Sequence, residues 1–235
     1  MSATDLRVRM RTMMTEAAAS VGAQPKPWYA IKALSTSDTP EAEVRIYDEV
    51  SPWGITAEDF VRELRALDVD TIRLRMNTPG GLVFDGVTIY NALRDHKAAV
   101  HVTVDGFAAS IGSVIAMAGD TVTMNRGSHM MIHDASGGVL GNASEMREFA
   151  DVLDKLSQSI AGIYADRAGG TADTWRALML KETWYTAEEA VAAHLADTVP
   201  GADKEQSTKD ATATNRSRSI VTRHNALVAR KGVKA

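Results

Sequence analysis

Polar and apolar residues trade places with a period of two at residues 43–49 (EVRIYDE), 70–76 (DTIRLRM) and 99–105, and residues 28–34 (WYAIKAL) form a mainly apolar run of strand length. Both patterns predict strands. Between and after them the period lengthens. Thr56 with Asp59 three residues on has the form of a capping box and predicts a helix through Leu67. Further helices are predicted over 84–96 and 109–118, short strands at 120–125 and 129–134, and a long helix from Asn142 to Ala168. Along that helix Met146, Phe149, Ala150, Leu153, Leu156, Ile160, Ile163 and Tyr164 form one dry stripe. The stripe must bury either on the chain's own sheet or on a neighbouring subunit, and the spacing fits both. Gly169 and Gly170 stop the helix, Thr171 caps the next (TADTWRALMLK), and Thr186 opens a last one to about Leu195. Strand and helix alternate, which predicts an α/β fold of repeated β-α units with a mostly parallel sheet.

Outside this body the pattern dissolves. Residues 1–27 are polar and end in Gln24-Pro25-Lys26-Pro27, so a flexible N-terminal segment is expected ahead of a domain over 28–200. Residues 201–235 hold eight Lys/Arg against three Asp/Glu, although the whole chain is at −4. They read as a mobile basic tail; contact with nucleic acid is conceivable from the charge, but no aromatic or periodic feature accompanies it. There is no apolar run of membrane-spanning length and no secretory apolar block near the start, so a cytoplasmic location is expected. The absence of cysteine removes thiolate chemistry and leaves hydroxyl, lysine or carboxylate nucleophiles.

Three glycine-marked junctions fall at predicted strand ends, where open α/β sheets place their ligands. Asn77-Thr78-Pro79-Gly80-Gly81 could expose backbone N–H groups or be a plain turn. In Gly106-Phe107-Ala108-Ala109-Ser110-Ile111-Gly112 the serine is uncrowded at a helix start, as suits a nucleophile and equally a helix cap. Ala108 stands where a full nucleophile elbow has glycine. His133 ends a short apolar strand (HMMIH) before Ala135-Ser136-Gly137-Gly138, a position from which an imidazole can serve as base or simply pack. His96, His101, His129, His194 and His224 have no comparable setting. For an orienting acid, Glu182 lies in a connection between two helices beside Trp184 and Tyr185, where a solvated carboxylate is the other reading. Asp134 ranks second, being too close to His133 in sequence.

Taken together, NTPGG, GFAASIG, MMIHDASGG and ETWYTAEEAVAAHLAD stand in the order shown by the ClpP-like serine peptidases. The chain resembles that family over about residues 43–199, and most closely its phage branch of prohead, or head maturation, proteases. The resemblance implies a ClpP/crotonase-like fold with a protruding long helix. It implies Ser110 as nucleophile, His133 as general base, Glu182 as the acid where housekeeping members have aspartate, and the N–H groups of Gly81 and Ile111 as oxyanion hole. Gly80, Gly137 and Gly138 fall where an extended substrate would pair as an added strand. No cofactor or metal is implied. The expected partners are polypeptides, among them capsid and scaffold proteins, and further copies of the chain in a ring. The alternatives are a degradation subunit fed by an AAA+ unfoldase and a catalytically silent assembly protein of the same fold. A lysine base is disfavoured, because no lysine accompanies Ser110.

Overall fold

The computed structural model describes residues 27–34, 40–51 and 56–201. The expected flexible segment over 1–27 and the basic tail over 201–235 lie outside them, apart from Pro27 and Gly201.

Strands β1 (Tyr29–Leu34) and β2 (Glu41–Ile46) lead to helix α1 (Ala57–Arg65). Then follow β3 (Thr71–Thr78), α2 (Val83–Arg94), β4 (Ala99–Ala109), α3 (Ile111–Ala116), β5 (Thr121–Met124) and β6 (His129–Ile132). The chain closes with α4 (Ala143–Ala168), α5 (Ala172–Met179), β7 (Thr183–Thr186) and α6 (Ala187–Ala192). The strands form one sheet in the order β1-β2-β3-β4-β6-β7, with β5 also paired to β4. The pairings β2–β3, β3–β4, β4–β5 and β4–β6 are parallel, and β1 and β7 are antiparallel edges. This is the mixed α/β architecture the alternation predicts.

The period-two pattern has a direct cause. Ala42, Val44, Ile46, Ile72, Leu74, Met76, Val100, Val102 and Val104 point into the core and are at most 2% exposed. Their neighbours on the other face are mostly polar or charged, and Arg73 donates from Nε and a terminal nitrogen to Glu41 at 2.8 and 3.0 Å. Each large core side chain contributes about 1.5–3 kcal/mol of burial, whereas an exposed pair of this kind contributes about 0–1 kcal/mol. The core face therefore sets the register.

Helix α1 starts in the capping box read from the sequence: Thr56 Oγ1 accepts from Asp59 N–H at 3.2 Å, and Asp59 accepts from Thr56 N–H at 3.0 Å. Asn142 caps α4 in the same reciprocal way with Glu145. Only part of the apolar stripe of α4 meets the body. Phe149, Ile160, Ala161 and Tyr164 are buried, while Met146 is 47% exposed and Leu140, just ahead of the helix, 82%. No helix among the described residues is long and apolar enough to cross a membrane.

Candidate active site

Ser110 and His133 meet because two parallel strand ends lie side by side. In the β4–β6 pairing Ala108 is opposite Met130 and Ala109 opposite Met131. One residue further, Ser110 N–H donates to Met131 C=O at 3.0 Å. His133 follows the end of β6, and its Nε2 lies 2.7 Å from Ser110 Oγ. That is hydrogen-bond distance for a base and the hydroxyl it deprotonates. The β3–β4 register shifts just before this point, Met76 pairing with Val104 but Thr78 with Ala108. Such an irregularity bends a strand and re-aims its end.

The serine's backbone is unusual. Ser110 has φ 54° and ψ −129°, in a region L residues avoid. A conformation of this kind costs about 1–3 kcal/mol and persists where surrounding contacts over-determine it. Those contacts are present. Ser110 C=O accepts from Ser113 N–H at 3.0 Å and from Ser113 Oγ at 2.6 Å, and Ser113 Oγ is 2.7 Å from the Tyr164 hydroxyl.

The Gly80–Gly81 turn is wedged against this elbow. Gly80 (φ +102°) and Gly81 (φ +140°) occupy the left-handed side of the backbone map. A Cβ on Gly80 would stand 2.7 Å from Ala109 O and 2.8 Å from Ser110 Cβ; one on Gly81 would stand 2.1 Å from Val50 O. Both positions need glycine for its shape as well as its dihedrals. Gly80 has both backbone groups engaged, its N–H donating to Thr78 Oγ1 at 3.1 Å and its C=O accepting from Val50 N–H at 2.6 Å. Gly137 and Gly138 are exposed, in a stretch from 133 to 140 with no regular structure.

Gly81, Ser110, Ile111 and His133 line one small cavity of about 70 Å³, walled by Val83, Val114, Ile160 and Tyr164. Burial pushes the Tyr164 phenol above its ordinary range. It therefore stays protonated as a hydrogen-bond donor.

The acid behaves differently. Glu182 is exposed, has φ 51°, and its Oε1 accepts from Trp184 Nε1 at 3.1 Å. Among the described residues no hydrogen bond joins it to His133. Its backbone position is nonetheless close. Strand β7, which sequence reading left as a connection, runs antiparallel to β6 with Ile132 opposite Thr183, so the next pair along would be His133 and Glu182. Asp134 points elsewhere: Arg176 Nε donates to its two oxygens at 2.7 and 2.9 Å, and the same guanidinium reaches Asp154 on α4 at 2.7 Å. Ser157 Oγ accepts from Ala135 N–H at 2.9 Å. Arg176 and Ser157 thus hold the segment after His133 onto α4 and α5. Neither is visible as functional in the sequence. Ser113 has a faint signal, one helical turn after Ser110, and Tyr164 is masked by the apolar stripe it belongs to.

A strained serine hydrogen-bonded to an imidazole at one cleft is the arrangement on which serine hydrolases are built. The chain belongs to the Clp protease family, whose model, described as Clp protease, matches residues 39–203. It is accordingly a serine-type peptidase by family. It is 33% identical over 187 residues to the ATP-dependent Clp protease proteolytic subunit of Pleurastrum terricola, covering 74% of this chain and 95% of that one. It is 31% identical over 150 residues to ATP-dependent Clp protease proteolytic subunit 1 of Prochlorococcus marinus subsp. pastoris, covering 61% and 76%. Both relatives are named as proteolytic subunits of an ATP-dependent protease, and neither as a head-maturation enzyme.

Proposed function

We propose that this chain is the proteolytic subunit of a Clp-type machine, cleaving extended polypeptides by acyl transfer through Ser110. The observation that carries the reading is the 2.7 Å contact between His133 Nε2 and Ser110 Oγ in a cavity that Gly81 and Ile111 also line. His133 takes the hydroxyl proton as Ser110 Oγ attacks the carbonyl carbon. The oxyanion forms against the N–H groups of Gly81 and Ile111. His133 then protonates the leaving amine, and water, activated by the same imidazole, hydrolyses the acyl-enzyme and restores the serine.

Glu182 is the acid that orients His133 in this scheme, through a rotation of its side chain from Trp184 toward the ring. Its support is the register, which brings its backbone to the step after Ile132–Thr183. Substrate pairs as an added strand along Gly137–Gly138, since Gly80 spends its own backbone groups within the chain. A ring of identical copies is supported by Leu140 and Met146, large apolar side chains exposed where α4 begins. The cytoplasm is the proposed location.

Head maturation, with capsid and scaffold proteins as substrates, is the second reading, favoured by Glu182 standing where housekeeping members have aspartate. The names of both relatives favour the degradation subunit. One experiment separates the readings. The purified chain is treated with a fluorophosphonate, then offered a casein-like unfolded protein, a folded substrate with an AAA+ unfoldase and ATP, and a capsid–scaffold mixture. Labelling at Ser110 with unfoldase-dependent degradation of the folded substrate is expected. Limited cleavage of the capsid mixture alone supports head maturation, and absence of labelling in a folded sample supports the silent assembly protein.

A further inference from the structure

Beneath the nucleophile lies a pair of hydroxyls that acyl transfer as described above does not use. Ser113 and Tyr164 are 0% and 1% exposed, and they come from elements 51 residues apart in sequence. Ser113 has one hydroxyl hydrogen, and at 2.6 Å from Ser110 C=O it is directed there. The Tyr164 O–H must then donate to Ser113 Oγ across the 2.7 Å between them. The chain of donors runs one way, from Tyr164 through Ser113 to the carbonyl of Ser110.

That carbonyl shares a planar trans peptide with the N–H of Ile111, and the two bonds point in opposite directions. Whatever fixes the C=O therefore fixes the N–H. Ser110 ψ, −129°, is the torsion that turns this plane. Ser110 sits in a disfavoured region of the backbone map, so the plane would relax if released. Two hydrogen bonds hold it from below, from Ser113 N–H and Ser113 Oγ. On the other side Gly80 packs so closely that an added Cβ would lie 3.1 Å from Ile111 N.

We propose that Tyr164 and Ser113 are positioning residues that set the oxyanion hole, aiming the Ile111 N–H by clamping the carbonyl on the opposite edge of its peptide plane. This rests on the reading of Ser110 as nucleophile and Ile111 N–H as oxyanion donor. Neither hydroxyl touches the reacting atoms. Tyr164 also walls the cavity, so its ring packs there while its hydroxyl is turned to Ser113.

The test measures the second-order rate of fluorophosphonate labelling of Ser110 as a function of pH. It uses the full chain and its Ser113→Ala, Tyr164→Phe and doubly substituted forms. Affinity for a peptide boronate, which forms the tetrahedral oxyanion, is measured beside affinity for the corresponding product peptide. Deleting an oxyanion donor outright costs about 10²–10³-fold, so mis-aiming one should slow labelling about ten- to a hundredfold. Boronate affinity should fall by a similar factor, with product affinity and the pH midpoint of labelling unchanged. The double variant should be no slower than Ser113→Ala, because the hydroxyls act in series. Tyr164→Phe keeps the ring and its volume, and it decides the matter alone if Ser113→Ala does not fold. A wild-type chain labelled at Ser110 with variants of equal rate and equal boronate affinity overturns the inference and leaves the site's reading intact. So do losses that are additive, or that fall equally on product and boronate. A folded wild type that is never labelled overturns the reading itself, and the inference with it.

Discussion

Ser110 and Glu182 sit at opposite ends of the proposed catalytic chain and are held in opposite ways. Ser110 is fixed through its backbone: a neighbouring strand carbonyl takes its N–H, Ser113 takes its C=O twice, and Gly80 crowds its Cβ. Glu182 is exposed, and its carboxylate accepts a hydrogen bond from the indole of Trp184, two residues further along the chain. Both have positive φ, but only the serine has its backbone N–H and C=O both held within the fold. The difference teaches where precision is needed. The attacking oxygen and the oxyanion donors must be right to fractions of an ångström, so their strain is locked by packing. An orienting carboxylate acts through another residue and tolerates a rotation.

The comparison can be broken, and the sharpest attempt is on the serine. Ser110→Ala should reduce peptidase activity about 10⁴-fold or more with the fold and assembly intact; residual turnover near wild type, measured on an unfolded protein substrate, would place the nucleophile elsewhere. Next in size is the wall. Gly81→Ala forces a Cβ to within 2.1 Å of Val50 O at a φ of +140°, and thermal unfolding should show a loss of about 3 kcal/mol or more together with lost activity. An alanine that is accommodated at no cost would mean that the turn is not pressed against Val50 in solution.

The acid should be gentler. Glu182→Gln is expected to lower kcat about 10³–10⁴-fold with KM little changed, short of the loss for the serine. Trp184→Phe, which frees the carboxylate, should at least retain wild-type kcat; a kcat that falls in that variant as far as in Glu182→Gln would make the indole contact part of the working state.

The smallest effect lies far from the site. Asp59 is held at about 2, below its ordinary 3.8, first by the Thr56 N–H, then by the Thr56 hydroxyl and the Arg62 guanidinium. A depressed carboxylate adds stability above its unfolded value and loses it as pH falls through the folded one. Urea midpoints should therefore decline between about pH 4 and pH 2, and Asp59→Asn should remove that part of the decline. An identical acid profile in the variant would show that the cap contributes nothing in solution.

How far the sequence could be read depended on how local the cause was. Strands β2, β3 and β4 were legible because one face of the sheet is core and the other mostly polar, which writes a period of two into residues such as Ile72-Arg73-Leu74-Arg75. The helix starts at Thr56, Thr171 and Thr186 were legible because each cap is satisfied within three residues. Strand β7 was not, since Thr183–Thr186 has no apolar alternation of its own and exists because β6 offers it an edge. Long α4 was seen, but which part of its stripe meets the body was not.

By itself the sequence determined the alternating α/β order and set a glycine pair, a serine and a histidine at strand ends. These follow from side-chain chemistry and spacing along the chain. Tertiary structure alone decided that Asp134 belongs to Arg176, that Tyr164 reaches Ser113 across 51 residues, and that Glu182 stands one register step beyond the last β6–β7 pair. Contacts of that kind are set by how strands are ordered and how helices pack over them, and no spacing between neighbours in the chain records it.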